Sequence, residues 1–265
     1  MNRLVGLVDK LRSERILQPG EFIELLNNPD EQSRKYLFAQ AVEVRRQIYG
    51  DEVYIRGLIE FTNYCRNNCY YCGIRRDNSS LQRYRLTLEE ITTCCDQGYL
   101  LGIRSFVLQG GEDAANNDAY MVEIIRAIKS RFPDCAVTLS IGERSRDSYQ
   151  TLFAAGADRY LLRHATANES HYASLHPSTM SWAHRRRCIE QLKEIGYQVG
   201  CGFMVGSPGQ TWEHLAEDLL YIRNLEPHMV GIGPFIPQHD TPFAHYPAGS
   251  VELTLILLAV IRLLL

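Results

Sequence analysis

Three cysteine thiols lie close together in this chain of 265 residues, at a spacing that suits an iron–sulfur cluster. Cys65, Cys69 and Cys72 follow a C-x3-C-x2-C pattern within one short segment. Three thiolates can hold three irons of a 4Fe-4S cluster, which leaves the fourth iron without a protein ligand. Such an iron is open to a substrate or a cofactor. The spacing therefore predicts a catalytic metal centre.

A structural zinc site or a disulfide explains these cysteines less well. Zinc usually takes four protein ligands, often from two separated C-x2-C pairs, and the chain has no second C-x2-C pair. Eight Cys without a signal peptide favour a reducing compartment, in which thiols bind metals or pack in cores. We therefore expect a cytoplasmic protein. The cysteines without ligand spacing are expected to pack in the core: Cys94, Cys95, Cys135, Cys188 and Cys201.

Composition and charge indicate a globular protein that binds neither nucleic acid nor membranes. The hydrophobic content of 45% is enough for a sizeable core, and the net charge of -3 comes without a basic stripe, so we expect no nucleic-acid partner. The apolar stretch 251–265 has only 15 residues, and it includes Glu252 and Arg262. It is too short to cross a bilayer, so we expect no membrane association.

From Val53 onward, short apolar strands alternate with amphipathic helices, a pattern typical of βα units and a parallel sheet. We predict a parallel α/β barrel with six βα units, preceded by an N-terminal helical extension that breaks at Pro19-Gly20. The domains would be 1–50 and 51–265. A full barrel needs two more strands, so we expect either a six-stranded partial barrel or a fragment. The predicted strands are 54–61, 105–109, 136–141, 159–165, 198–205 and 229–233.

Side-chain alternation along these strands puts arginines on the face opposite to the apolar residues. Arg56, Arg159 and Arg163 would then point into the barrel, whose centre is ordinarily filled by branched apolar side chains. Buried guanidiniums are costly unless something anionic compensates them. The pattern thus predicts a cavity for an anionic ligand. Two alternatives are that the register is shifted by one residue, or that the arginines pair with Glu60 and Glu143.

The cysteine loop, with Tyr71 directly before its third Cys, resembles the signature of the radical S-adenosylmethionine (SAM) superfamily. The resemblance implies a 4Fe-4S cluster whose open iron binds SAM and whose electron cleaves it to a 5'-deoxyadenosyl radical. A Gly-Gly-Glu stretch after the second strand resembles the motif that receives the amino group of SAM. The resemblance implies cofactor-binding residues at Tyr71, Gly110, Gly111, Glu112, Ser140, Arg163, Arg185 and Met204.

Within the superfamily, the chain resembles the family of the FeFe-hydrogenase maturase HydE. The stretches that carry this resemblance are 59–63, 72–78, 109–113, 204–210 and 230–237. They imply a role in building the di-iron centre of FeFe-hydrogenase from a small anionic iron complex. Arg56, Gln109 and Arg159 would bind that substrate. The implied partners are a reductant such as ferredoxin or flavodoxin, and the other hydrogenase maturases.

Two departures from the family pattern leave other functions open. Ala165 stands where the family usually has a Glu that helps to hold SAM. The sequence also stops before the last two strands of a full eight-stranded barrel. One alternative is a biotin synthase-like or mutase-type radical enzyme that acts on another small substrate. Another is a catalytically weakened, cluster-binding fragment.

Overall fold

The computed structural model describes residues 2–27 and 29–265, and its centre is a parallel sheet. The strands are β1 (Gly57–Thr62), β2 (Ser105–Gly110), β3 (Ala136–Ser140), β4 (Arg159–Leu161), β5 (Gln198–Cys201), β6 (Met204–Val205), β7 (Met229–Val230) and β8 (Gly233–Pro234). Six of them pair in the order β1-β2-β3-β4-β5-β7, with every pairing parallel, while β6 pairs with β8. The predicted parallel α/β fold with six βα units is confirmed.

Helices connect these strands and also precede them. They are α1 (Arg3–Glu14), α2 (Pro19–Leu26), α3 (Glu31–Tyr49), α4 (Leu88–Leu100), α5 (Asp118–Arg131), α6 (Arg146–Ala154), α7 (Glu169–Leu175), α8 (Trp182–Ile195), α9 (Trp212–Leu225) and α10 (Val251–Leu264). At the start of α4, Thr87 and Glu90 form a capping box. None of the helices in the described ranges combines the length and the apolar composition needed to span a lipid bilayer.

Alternation along the strands separates an apolar face from a polar one. Leu139 and Tyr160 are register neighbours on the apolar face, and the ring of Tyr160 packs edge-on against Tyr149 of α6. On the other face, the ends of β1, β2 and β3 bring three polar residues side by side: Glu60, Gln109 and Ser140. This face is the interior of the barrel, as the alternation predicts.

Several predicted boundaries are wrong. Strand β1 begins three residues later than predicted, because 53–55 is exposed and unpaired. Strand β4 ends at Leu161 rather than at 165. Helix α7 was not predicted, and Pro19 opens α2 instead of breaking a helix, as its missing N–H allows at a first helical turn.

The predicted fifth and sixth strands are each interrupted by a glycine. Gly202 separates β5 from β6, and Gly231 lies between β7 and β8. A Cβ at Gly202 would lie 1.9 Å from the carbonyl oxygen of Gly231, so the two backbones touch there. Beyond this point the strands leave the main sheet and form the small β6-β8 pair. A strand pattern alone could not reveal that contact.

The N-terminal helices pack on the outside of the barrel. Helix α2 lies against α9, and α3 lies against α10. Phe22 of α2 is fully buried and belongs to the same hydrophobic cluster as the barrel strands. A division into 1–50 and 51–265 remains our proposal for the domain organisation. Because the two parts share a core, we expect them to unfold together.

Replacing Phe22 by Ala tests whether the N-terminal helices unfold together with the barrel. We expect the free energy of unfolding to fall by about 3–5 kcal/mol, because the change leaves a cavity in a shared core. Urea unfolding would be followed by far-UV circular dichroism and by the fluorescence of Trp182 and Trp212. Both midpoints should fall together, whereas the exposed-site control Ile48→Ala should move neither. A fluorescence midpoint that stays in place would identify residues 1–50 as a separate folding unit.

Candidate functional site

The cluster loop, which we define as residues 63–78, leaves the carboxyl end of β1 and carries the three predicted metal ligands. Cys65, Cys69 and Cys72 are free thiols and half-buried. The loop is tied to its surroundings by backbone hydrogen bonds, from Arg66 N–H to the Glu112 carbonyl (2.9 Å) and from Tyr70 N–H to the Leu175 carbonyl (3.0 Å). The fold thus holds all three thiols at the carboxyl ends of the strands, where ligands of parallel α/β proteins bind.

The predicted glycine pair explains how β2 can approach this loop so closely. A Cβ on Gly111 would lie 2.3 Å from the Tyr64 carbonyl oxygen and 2.6 Å from the Cβ of Cys65. A Cβ on Gly110 would lie 2.5 Å from the Cγ2 of Thr62. Real side chains do not tolerate such distances, so only glycine permits this contact. The turn after β2 forms a cradle directly beneath the first ligand of the loop.

The surroundings of the three thiols control how easily they ionise. Burial raises the pKa of all three, and for Cys69 burial and the neighbouring Cys72 raise it to about 12. At Cys65, backbone N–H groups of Asn67 and Glu112 oppose the effect of burial by favouring the thiolate. Hydrogen bonds of this kind to ligand sulfurs are typical of clusters. Cradle, free thiols and amide donors together fit a 4Fe-4S cluster.

A site for a single metal ion is a different arrangement. Across residues 2–27 and 29–265, no three His, Cys, Asp or Glu side chains converge on a point at which they could hold one ion. A single zinc needs every sulfur at about 2.3 Å from one centre. A 4Fe-4S cluster instead takes each thiolate on a different iron.

Glu112, the acidic member of the predicted motif, is buried between the cluster loop and β3. Its carboxylate accepts hydrogen bonds from the Arg66 guanidinium (3.0 Å) and from the Glu143 backbone N–H (2.8 Å). A Cβ on Gly142 would lie 2.1 Å from the Cγ of Glu112. Glu112 therefore joins the cluster loop to the end of β3.

Tyr71 is held by a buried histidine that the sequence did not indicate. Burial lowers the pKa of His176 to about 4, so the ring is neutral at physiological pH. Its Nδ1 lies 2.9 Å from the Tyr172 carbonyl, which can only accept, so Nδ1 carries the proton. The Tyr71 hydroxyl then donates to Nε2 over 3.1 Å. The residue before the third Cys is thus fixed to the end of α7.

A cavity of about 330 Å³ opens beside the cluster loop at the carboxyl ends of β1 to β4. It brings together several residues that the sequence predicts as cofactor- or substrate-binding. The lining residues among those predicted are Gln109, Gly110, Ser140, Arg163 and Arg185. Ile74 of the cluster loop also lines it, so the predicted metal site and the cavity are neighbours.

Arg185 supplies a buried positive charge to this cavity. Its guanidinium pairs with Glu143, which His184 also approaches (3.6 Å), and it donates to the Arg163 carbonyl over 2.8 Å. Glu143 is therefore the partner of a helix arginine rather than of the strand arginines. Glu60 accepts a hydrogen bond from Gln109 (3.3 Å).

Arg159 and Arg56 lie at the other end of the strands. Arg159 opens β4, on the face opposite to the helix-packed Tyr160, and so has the inward register that the sequence predicts. It donates to Ser105 Oγ (2.9 Å) and Gln198 Oε1 (2.7 Å). Burial and the nearby charge of Arg56 lower its pKa. These two guanidiniums are not among the residues that line the cavity beside the cluster loop.

Ala165, at the position where the resembling family usually has Glu, follows β4 in a left-handed conformation with φ of 68°. A buried pair holds this turn. His164 Nδ1 accepts from the Gly202 N–H (3.2 Å), and its Nε2 donates to Asp218 (3.2 Å), which also accepts from the Ala167 N–H. Nearby, Met204 lies in β6, and its carbonyl accepts from Gln210 (2.8 Å).

Two arginines near the cluster loop make contacts that the sequence does not predict. Asp113 accepts two hydrogen bonds from Arg85 (2.6 and 2.9 Å), whose guanidinium stacks on the ring of Tyr64 (3.6 Å). Burial would raise the pKa of Asp113, but the hydrogen bonds from Arg85, the Ala115 N–H and Thr62 lower it below its usual value. The second contact involves Arg83, which donates to backbone carbonyls. No spacing rule connects these residues.

Comparison with known proteins agrees with the site. Residues 59–222 match the family model of the Radical SAM superfamily. The chain is 48% identical over 242 residues to the [FeFe] hydrogenase maturase subunit HydE of Thermotoga maritima, covering 91% of this chain and 69% of that protein. It is 31% identical over 252 residues to a biotin synthase of Corynebacterium urealyticum, covering 91% of this chain and 73% of that protein.

A solved structure has the same fold. The crystal structure of methylornithine synthase (PylB) superposes with a TM-score of 0.89 at 26% sequence identity, over 97% of this chain and 76% of that one. The agreement extends over the N-terminal helices as well as the strands, since it covers nearly the whole chain. The fold and the cysteine loop therefore point to the same superfamily.

Replacing Gly111 by Ala tests the cradle beneath the cluster loop. We expect the new Cβ to displace Cys65, at a strain of about 1–3 kcal/mol, and so to reduce the iron bound per chain after anaerobic reconstitution. Iron and sulfide would be measured chemically on the purified protein. Gly6→Ala, which adds a Cβ with no atom within 4 Å, is the matched control. Full iron loading of Gly111→Ala would contradict this role.

Proposed function

This chain belongs to the radical SAM superfamily, and we propose that within it the chain is a maturase of the HydE kind, acting in the assembly of the di-iron centre of FeFe-hydrogenase. One observation carries the proposal: the identity of 48% to HydE extends over 91% of the chain, through both the cysteine loop and the cavity beside it. The biotin synthase relative is 31% identical over a similar span. We therefore base the proposed function on the more similar of these two relatives.

The cofactors of the superfamily are a 4Fe-4S cluster and SAM, which together supply a 5'-deoxyadenosyl radical. The residues that would hold the cluster are Cys65, Cys69 and Cys72. The backbone of Gly111, which already touches the cluster loop, and that of Gly110 would receive the amino group of SAM at the same edge of the sheet.

The remaining predicted residues would orient SAM from the cavity side. Arg185 would bind its carboxylate, since the guanidinium is buried and lines the cavity while Glu143 takes only part of its donors. Ser140 lines the same cavity and would bind the ribose or the methionine moiety through its hydroxyl. Tyr71 and Met204 would border the adenosyl group. No side chain is needed as a general base, because the protein's task is to bind and to exclude water.

The substrate would be a small anion, such as an iron complex with CO and cyanide ligands. Arg56 and Arg159 support this, because burial and the nearby charge of Arg56 lower the pKa of Arg159, and an anion between the two guanidiniums would offset both effects. Gln109 would donate from the cavity side. A ferredoxin or flavodoxin would supply the electron, and the other hydrogenase maturases would deliver and receive the iron species. The free cysteines support a cytoplasmic location.

Anaerobic reconstitution tests the radical reaction. After loading with iron and sulfide, we expect cluster absorbance, an EPR signal on reduction with dithionite, and 5'-deoxyadenosine when SAM is added. Cys69→Ala should lose all three. Absence of 5'-deoxyadenosine from a fully loaded protein would favour a cluster-binding role without catalysis.

Genetics separates the maturase from a biotin synthase-like enzyme, which the 31% identical relative supports as a second candidate. A deletion strain should lose FeFe-hydrogenase maturation while its requirement for biotin stays unchanged. A new biotin requirement with normal hydrogenase would reverse the assignment.

Arg185→Lys tests the carboxylate-binding role. Lysine keeps the charge but cannot contact Glu143, the Arg163 carbonyl and a ligand together, because it lacks the planar fork. We expect the Kd for SAM to rise about tenfold, equivalent to about 1.4 kcal/mol, as measured by equilibrium dialysis with the reconstituted protein. Arg187→Lys, on the exposed side of the same helix, should leave the Kd unchanged. Equal affinities for both variants would remove Arg185 from the cofactor site.

A further inference from the structure

The segment that follows the cluster loop runs back along the end of β1. The Leu86 N–H donates to the Phe61 carbonyl (2.8 Å), and Thr62 and Arg85 form an antiparallel bridge. The Tyr84 N–H donates to the side-chain oxygen of Asn63 (2.8 Å). This pairing fixes residues 82–86 at the base of the cluster loop, and it directs one side chain, Arg83, into the loop.

The Arg83 guanidinium donates to four backbone carbonyls. Its Nη1 reaches the carbonyls of Asn63 and Ile74, the latter at 2.9 Å. Its Nη2 reaches the carbonyls of Arg75 (2.6 Å) and Asn78 (3.2 Å). One acceptor precedes the first cysteine and three follow the third. A single side chain therefore joins the two ends of the segment that carries all three thiols.

We propose that Arg83 is the positioning residue of the cluster loop, and that its planar fork sets the spacing at which the three thiols receive the cluster. Four carbonyl dipoles that point at one spot repel each other, and the guanidinium is the group that offsets this repulsion. Charge-assisted hydrogen bonds from a planar fork are both strong and directional. The inference rests on the cluster site alone and is independent of the hydrogenase role.

Two variants separate the effect of the planar fork from that of the charge. Arg83→Lys keeps the positive charge but loses the fork, whereas Arg83→Ala loses both. We expect the rate of iron loss from the reconstituted protein to a ferrous chelator to rise about tenfold in both variants, since neither can join the four carbonyls. The reduced cluster should have a changed EPR signal. Arg83→Ala should also lower the midpoint potential of the cluster, because a positive charge near it is removed, whereas Arg83→Lys should keep that potential.

Arg76→Ala is the matched control, because Arg76 lies in the same loop, is exposed, and bonds through its side chain to the Asp77 carboxylate. It should lose iron at the wild-type rate. Thermal unfolding of the protein before metal loading checks the fold, and Arg83→Lys carries the test if Arg83→Ala unfolds. Added guanidinium ion should slow the iron loss of Arg83→Ala. If Arg83→Lys loses iron no faster than Arg76→Ala, the proposal is overturned.

Discussion

The close approach between the turn after β2 and the first cysteine of the cluster loop is the constraint on which the site depends. Only a residue without a side chain fits between the backbone of Tyr64 and Cys65, and Gly111 fills that position. Because β2 is paired with both β1 and β3, the turn cannot move without the sheet. The cluster loop therefore inherits the rigidity of the parallel strands beneath it.

Other contacts reach the loop from different parts of the fold. Glu112 connects it to the end of β3, His176 connects Tyr71 to the end of α7, and Arg83 closes its base. Each contact uses a buried or charged group that forms hydrogen bonds with the loop and with a neighbouring element or with the loop backbone alone. Pre-organisation of this kind lowers the cost of assembling a metal site, since the ligands are ordered before the metal arrives.

The sequence predicted the parts of this arrangement that depend on local spacing. The cysteine motif, the glycine pair and the order of βα units all follow from residues near each other in the chain, and the fold agrees with them. The contact between Gly202 and Gly231 joins segments that are far apart in sequence. The Arg83 guanidinium bonds to backbone carbonyls alone. Side-chain type says nothing about a carbonyl acceptor, so these features could not be predicted.

The turn after β4 illustrates how the fold can hold one side of the cavity without the acidic residue usual in the resembling family. Ala165 is buried in a left-handed turn whose shape is set by His164 and Asp218, not by its own side chain. Burial raises the pKa of Asp218, and the hydrogen bonds from His164 and the Ala167 N–H oppose that rise. Because these donors fix the turn, the Arg163 carbonyl that Arg185 contacts stays in position. The orientation of Arg185 is therefore maintained by buried polar contacts behind the cavity.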